Sequence, residues 1–124
     1  MRVVAIIQAR LGSTRLPGKI LKEISGRPLL SYQLERLQNS RFIDELVIAT
    51  TTNEKDNLLV EFCENQHVSF FRGSETDVLA RYYEAAVKFK ADAVVRITSD
   101  CPIIDLQIVD KTIKNFIDNE VLNG

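Results

Sequence analysis

Val3-Val4-Ala5-Ile6-Ile7 is apolar at every position, and the chain leaves it through Gln8-Ala9-Arg10-Leu11-Gly12-Ser13-Thr14-Arg15-Leu16-Pro17-Gly18-Lys19. A strand without a polar face has to be covered on both sides, the condition of a parallel sheet lying between layers of helix. In open α/β sheets, ligands sit just outside the carboxyl ends of the strands. The exit segment carries three cations, two glycines and two hydroxyls within twelve residues. A loop of that composition at that place suits a polyanion, and a nucleotide triphosphate is the first expectation.

The remaining chain alternates between strand-like and helix-like stretches. Leu30, Leu34 and Leu37 recur at helical spacing behind Pro28, which suits a first helical position. Leu46–Thr50 reads as a second strand, and Leu58, Leu59, Phe62 and Cys63 as the inner face of a second helix. Val68–Phe71 reads as a short strand. Val78, Tyr82 and Ala86, with Leu79, Tyr83 and Val87 beside them, make a third helix capped by Thr76. Ala93–Ile97 is a further strand, and Val109, Ile113 and Phe116 line a last helix opened by Asp105. The expected architecture is α/β: one doubly wound, mostly parallel sheet with helices on both faces, forming a single domain over residues 1–124.

Two familiar phosphate loops are excluded by spacing. A Walker loop needs four residues between its glycines and a hydroxyl after its lysine. Five residues lie between Gly12 and Gly18, and Ile20 follows Lys19. The dinucleotide fingerprint needs glycines one residue apart near the strand end, and none are present. There remains a longer loop whose N–H groups, Ser13 hydroxyl and cations wrap an anion, or else a solvated basic turn punctuated by Pro17-Gly18.

The segment Gln8–Lys19, followed by Ile20-Leu21, resembles the opening signature of the cytidylyltransferases that activate acidic sugars. The keto-deoxy-octulosonate and sialic acid enzymes and the spore-coat polysaccharide biosynthesis protein F group share this pattern. Gln8, where Pro is commoner, is similar to the spore-coat group. The likeness returns in Phe71-Arg72-Gly73-Ser74-Glu75-Thr76-Asp77-Val78-Leu79-Ala80-Arg81-Tyr82-Tyr83 and in Val95-Arg96-Ile97-Thr98-Ser99-Asp100-Cys101-Pro102. It covers the N-terminal half of such proteins and implies a Rossmann-like nucleotide-diphospho-sugar transferase fold. It further implies CTP, a sugar substrate, magnesium, transfer of CMP with release of pyrophosphate, and a homodimer in the full-length form. The chain then reads as a fragment or truncation, the other half supplying a second acidic metal ligand, much of the sugar pocket and the dimer contacts.

By that resemblance, Arg10, Ser13 and Lys19 hold the triphosphate, Gly12 allows close backbone approach, and the backbone at Gln8 and Ala9 reads the base edge. Arg10 and Lys19 are the catalytic candidates. Negative charge builds on the phosphoryl oxygens during transfer, and a planar fork beside a mobile point charge answers it. Arg72 is expected to approach the base or ribose, or to snorkel from an apolar edge. Asp100 is expected to bind magnesium, a hard cation that takes one or two carboxylates with phosphates and water; the alternative is a helix cap. Arg15 is as suited to a solvated tip as to an anion, and Asp77 to a helix start. His67 falls in a turn and suits no acid–base role, while Cys101 lacks a partner to activate it.

Sixteen cations against seventeen anions, a net charge of -1, give no general attraction to nucleic acid. No apolar run reaches membrane-spanning length, and no signal peptide is legible at the start. Cys63 and Cys101 have no metal-ligand spacing, which suits a reduced, cytoplasmic protein. Two other functions stay open: a nucleotide-binding module without turnover, and a nucleotidyltransferase that uses another base.

Overall fold

A computed structural model describes residues 1–11, 23–24, 27–98 and 106–123. The strands are β1 (Val3–Gln8), β2 (Glu23–Ile24), β3 (Arg27–Pro28), β4 (Glu45–Thr51), β5 (Ser69–Gly73) and β6 (Ala93–Thr98). The helices are α1 (Leu29–Gln38), α2 (Asn57–Gln66), α3 (Val78–Lys88) and α4 (Leu106–Asn123), with a 3-10 turn at Glu54–Asp56. The main sheet runs β5-β4-β1-β6, every pairing parallel, while β2 and β3 form a separate antiparallel pair.

The apolar run at Val3–Ile7 is buried throughout because β1 lies between β4 and β6 with helices over both faces. Ile7 and Ala9 face one core with Ile48, Leu30, Leu34, Leu37, Leu59, Phe62 and Cys63. Val4 and Ile6 face the other with Val47, Ala49, Tyr82 and Ala85. The period of two along β1 therefore sends alternate side chains to α1 and α2 on one side and to α3 on the other. Each fully buried Leu or Ile contributes on the order of 1.5–3 kcal/mol, so these two layers hold the sheet.

The elements agree with the sequence periodicities, with four local differences. Pro28 lies in β3, so α1 begins at Leu29. The cap of α3 is Asp77, whose carboxylate accepts the Ala80 N–H at 3.0 Å, and not Thr76. The carboxylate of Asp77 reaches the third helical N–H, as an N-cap must. Leu79, Tyr83 and Val87 are exposed, because α3 meets the sheet through the opposite stripe, which includes Val78, Arg81, Tyr82 and Ala85. Leu58 and Phe116 likewise point outward from α2 and α4. Asp105 lies outside the described residues. His67 ends α2 in the left-handed region (φ 57°), where its N–H closes onto Glu64. Among the described residues no helix is long and apolar enough to cross a membrane.

The strand order turns back at β1. From β1 the chain steps outward to β4 and β5, then returns to place β6 on the opposite side. Gln8 and Thr98 end up as register partners at the carboxyl ends of adjacent strands. The carboxyl end of β1, where the strand order reverses, is the usual ligand position in such sheets.

Candidate functional site

The backbone continues straight out of β1. Ala9 donates its N–H to the Ala49 carbonyl at 3.0 Å, extending the ladder by one rung, and Ala9 is buried. Gln8 is half-buried and Arg10 is exposed at the rim. The next residue is pinned from below: Leu11 donates its N–H to Asp56 Oδ1 at 2.7 Å. The other oxygen of Asp56 accepts the Thr51 hydroxyl, and the whole side chain is buried. One carboxylate thus fastens the start of the basic loop to the end of β4.

Arg72 lies in β5, paired in register with Thr50. Its Nε donates to the Thr51 carbonyl at 2.7 Å, one terminal nitrogen to Asn57 Oδ1 at 2.8 Å, and the other to the Asn53 carbonyl at 2.9 Å. The fork clamps the loop between β4 and α2. Asn53 in turn caps the 3-10 turn and donates to the Glu75 carboxylate at 3.2 Å. The rim beside β1 is therefore a braced loop, and Arg72 is one of its braces.

Gly12, Ser13, Lys19 and Asp100 lie outside the described residues, as do Arg15 and Cys101. Among the described residues no three His, Cys, Asp or Glu side chains come together as a metal set. Asp56, the buried carboxylate at this end of the sheet, already accepts a hydrogen bond on each oxygen.

Two buried charged residues at this end of the sheet escaped the sequence reading. Asp56 sits in a polar stretch, Thr51–Asp56, that reads as an ordinary turn. Arg81 is on α3 and is wholly buried. It stands three residues after Val78 and four before Ala85, on the inward stripe, and that spacing is the signal that could have found it. Burial, then the proximity of Arg10, lowers its pKa, while Tyr82, Asp56 and Glu75 act in the opposite sense.

A parallel sheet that reverses beside its central strand, with a braced basic rim there, defines an α/β fold of the nucleotidyltransferase kind. The cytidylyltransferase family model matches residues 4–122. The chain is 39% identical over 120 residues to the spore coat polysaccharide biosynthesis protein SpsF of Bacillus subtilis, covering 94% of this chain and 50% of that one. A cytidylyltransferase structure from Leptospira borgpetersenii superposes with a TM-score of 0.91 at 43% identity, over 96% of this chain and 50% of that one. A CMP:2-keto-3-deoxy-manno-octonic acid synthetase complexed with CTP superposes with a TM-score of 0.80 at 26% identity, over 97% and 49%. The chain belongs to the cytidylyltransferase family. It spans about half the length of the relatives it matches.

Proposed function

We propose that this chain forms the nucleotide half of a cytidylyltransferase that binds CTP with magnesium and passes CMP to a sugar, releasing pyrophosphate. The observation that supports this most is the placement of Ala9 and Arg10 at the carboxyl end of β1, beside β6, at the reversal of strand order. In the reaction a sugar oxygen attacks the α-phosphorus, the bond to the pyrophosphate oxygen breaks, and charge accumulates on the phosphoryl oxygens. Arg10 and Lys19 balance that charge, with Gly12 and Ser13 admitting and donating to the phosphate chain. The N–H of Ala9 is used within the sheet, so in this reading the backbone at Gln8 and Ala9 meets the base edge through a carbonyl that accepts from the cytosine amine, a donor that uracil lacks. Arg72 contributes to the nucleotide site through the loop it holds. Asp100 would hold magnesium, which supplies charge neutralisation at the phosphates when bound.

The likeness to the SpsF protein supports a sugar destined for surface polysaccharide; action in the cytoplasm as a homodimer of the complete protein belongs to the same proposal. The half-length span favours a second reading for this chain alone: nucleotide binding without turnover.

Calorimetric titration with CTP, UTP, GTP and ATP, each with and without magnesium, tests the reading. Selective, magnesium-enhanced CTP binding is expected. Equal binding of all four would leave a phosphate site and remove the cytidylyl assignment, and CTP binding without product in the presence of sugar acceptors would favour the second reading.

A further inference from the structure

The guanidinium of Arg81 is an unusual group to find inside a protein. Arg81 is 0% exposed, and none of its three side-chain nitrogens has a hydrogen-bond partner among the described residues. A buried cation without a partner is costly, and native proteins almost always pair such groups. The two carboxylates within electrostatic range make no hydrogen bond to it: Asp56 is engaged by the Leu11 N–H and the Thr51 hydroxyl, and Glu75 by Asn53.

The fold makes room for this side chain. Gly73 ends β5 against α3, and a Cβ built there would stand 3.2 Å from Arg81 Cγ and 2.8 Å from a Phe71 ring carbon. The arginine therefore passes over a glycine toward the carboxyl end of the sheet. There it lies within electrostatic range of Arg10, Asp56 and Glu75. Arg10 and Arg81 repel one another, and an anion between them removes that repulsion while supplying the missing acceptor.

We propose that Arg81 is an inner anion ligand of this site, its guanidinium taking a phosphate oxygen of the nucleotide beneath Arg10. The proposal rests on the nucleotide reading above. No solvent reaches the guanidinium, so the anion contributes the acceptor that water does not. A full charge held in reserve fits a phosphate oxygen better than a neutral base carbonyl, because charge-assisted bonds are about twice as strong.

The test compares the wild-type chain with Arg81→Met and Arg81→Lys in titrations with CTP, inorganic pyrophosphate and cytidine, alongside thermal unfolding without ligand. Arg81→Met is expected to weaken CTP and pyrophosphate about tenfold or more, leave cytidine unchanged, and melt no lower than wild type, since it removes an unpaired buried charge. Arg81→Lys, which keeps the charge and loses the fork, is expected to fall between; should Arg81→Met not fold, unchanged anion affinity in Arg81→Lys overturns the proposal. Wild-type affinity for both anions in Arg81→Met, with a lowered melting temperature, would mean a structural arginine. Equal loss of cytidine would make Arg81 a base contact, which also overturns the phosphate role. Arg81-dependent pyrophosphate binding without preference for CTP upholds the ligand role while removing the cytidylyl reading. A wild-type chain that takes neither anion overturns both.

Discussion

Asp56 and Leu11 are 45 residues apart in sequence, yet the buried carboxylate of one receives the backbone N–H of the other at 2.7 Å. The bond exists because β1 and β4 are parallel neighbours, so the exit of β1 and the turn after β4 emerge side by side. Through it, the position at which the basic loop departs is set by the β4 turn.

Asp56→Ala should therefore damage stability and ligand binding together. The substitution strips the acceptor from a buried N–H and from the Thr51 hydroxyl, a loss of about 2–4 kcal/mol for charge-assisted bonds and their unsatisfied donors. Urea denaturation is expected to show a lower midpoint at unchanged slope. Asp56→Asn, which keeps one acceptor oxygen, should lose roughly half as much. A wild-type midpoint in both variants would reject the pinning role.

Gly73→Ala places a methyl 2.8 Å from Phe71 and 3.2 Å from Arg81. Overpacking of this kind costs about 1–3 kcal/mol. Since the methyl also crowds the path of Arg81, affinity for inorganic pyrophosphate is expected to fall with the melting temperature. A variant that melts like wild type would show that the β5–α3 contact is looser than the described packing.

Cys63 is buried beneath α2, and burial, with a smaller push from Glu64, raises its thiol to about 12 from an ordinary 9.0. The folded protein holds the neutral form, so the contribution of this group to stability is intact below about pH 9 and is lost as pH climbs toward 12. The expected result is that alkylation of Cys63 in the native chain at pH 8, followed by peptide mass spectrometry, proceeds only as fast as the chain opens, and accelerates in urea. Rapid native alkylation would contradict the buried placement.

Arg10→Ala and Lys19→Ala are each expected to weaken CTP binding by roughly 1.5–3 kcal/mol, the loss of hydrogen bonds between charged groups. Asp100→Asn should instead reduce the dependence of CTP binding on magnesium. Calorimetry distinguishes the two effects; wild-type affinity in both cationic variants would remove the proposed triphosphate site, and unchanged magnesium dependence would reject Asp100 as a ligand.

The sequence by itself determined the layered α/β plan. A fully apolar Val3–Ile7 could only be a doubly covered strand, and Leu30, Leu34, Leu37, Phe62, Tyr82 and Ile113 occupy the inward positions that their spacing predicts. It also determined the family, through blocks that begin at or near the ends of β1, β5 and β6. Both signals are local, arising from side-chain periodicity and short runs of chemistry. Tertiary structure decided the rest. Arg72 was legible as a cation after a strand, but its engagement with Thr51, Asn53 and Asn57 depends on β5 lying beside β4. Nothing local to Asp56 announces its bond to Leu11, which strand order alone brings within reach. Arg81 is one charge on α3, and only the packing of α3 over Gly73 buries it without a hydrogen-bond partner among the described residues. Hydrogen-bond partners and burial across strands follow from which strands are neighbours, and that is a property of the whole sheet, which no local stretch of residues encodes.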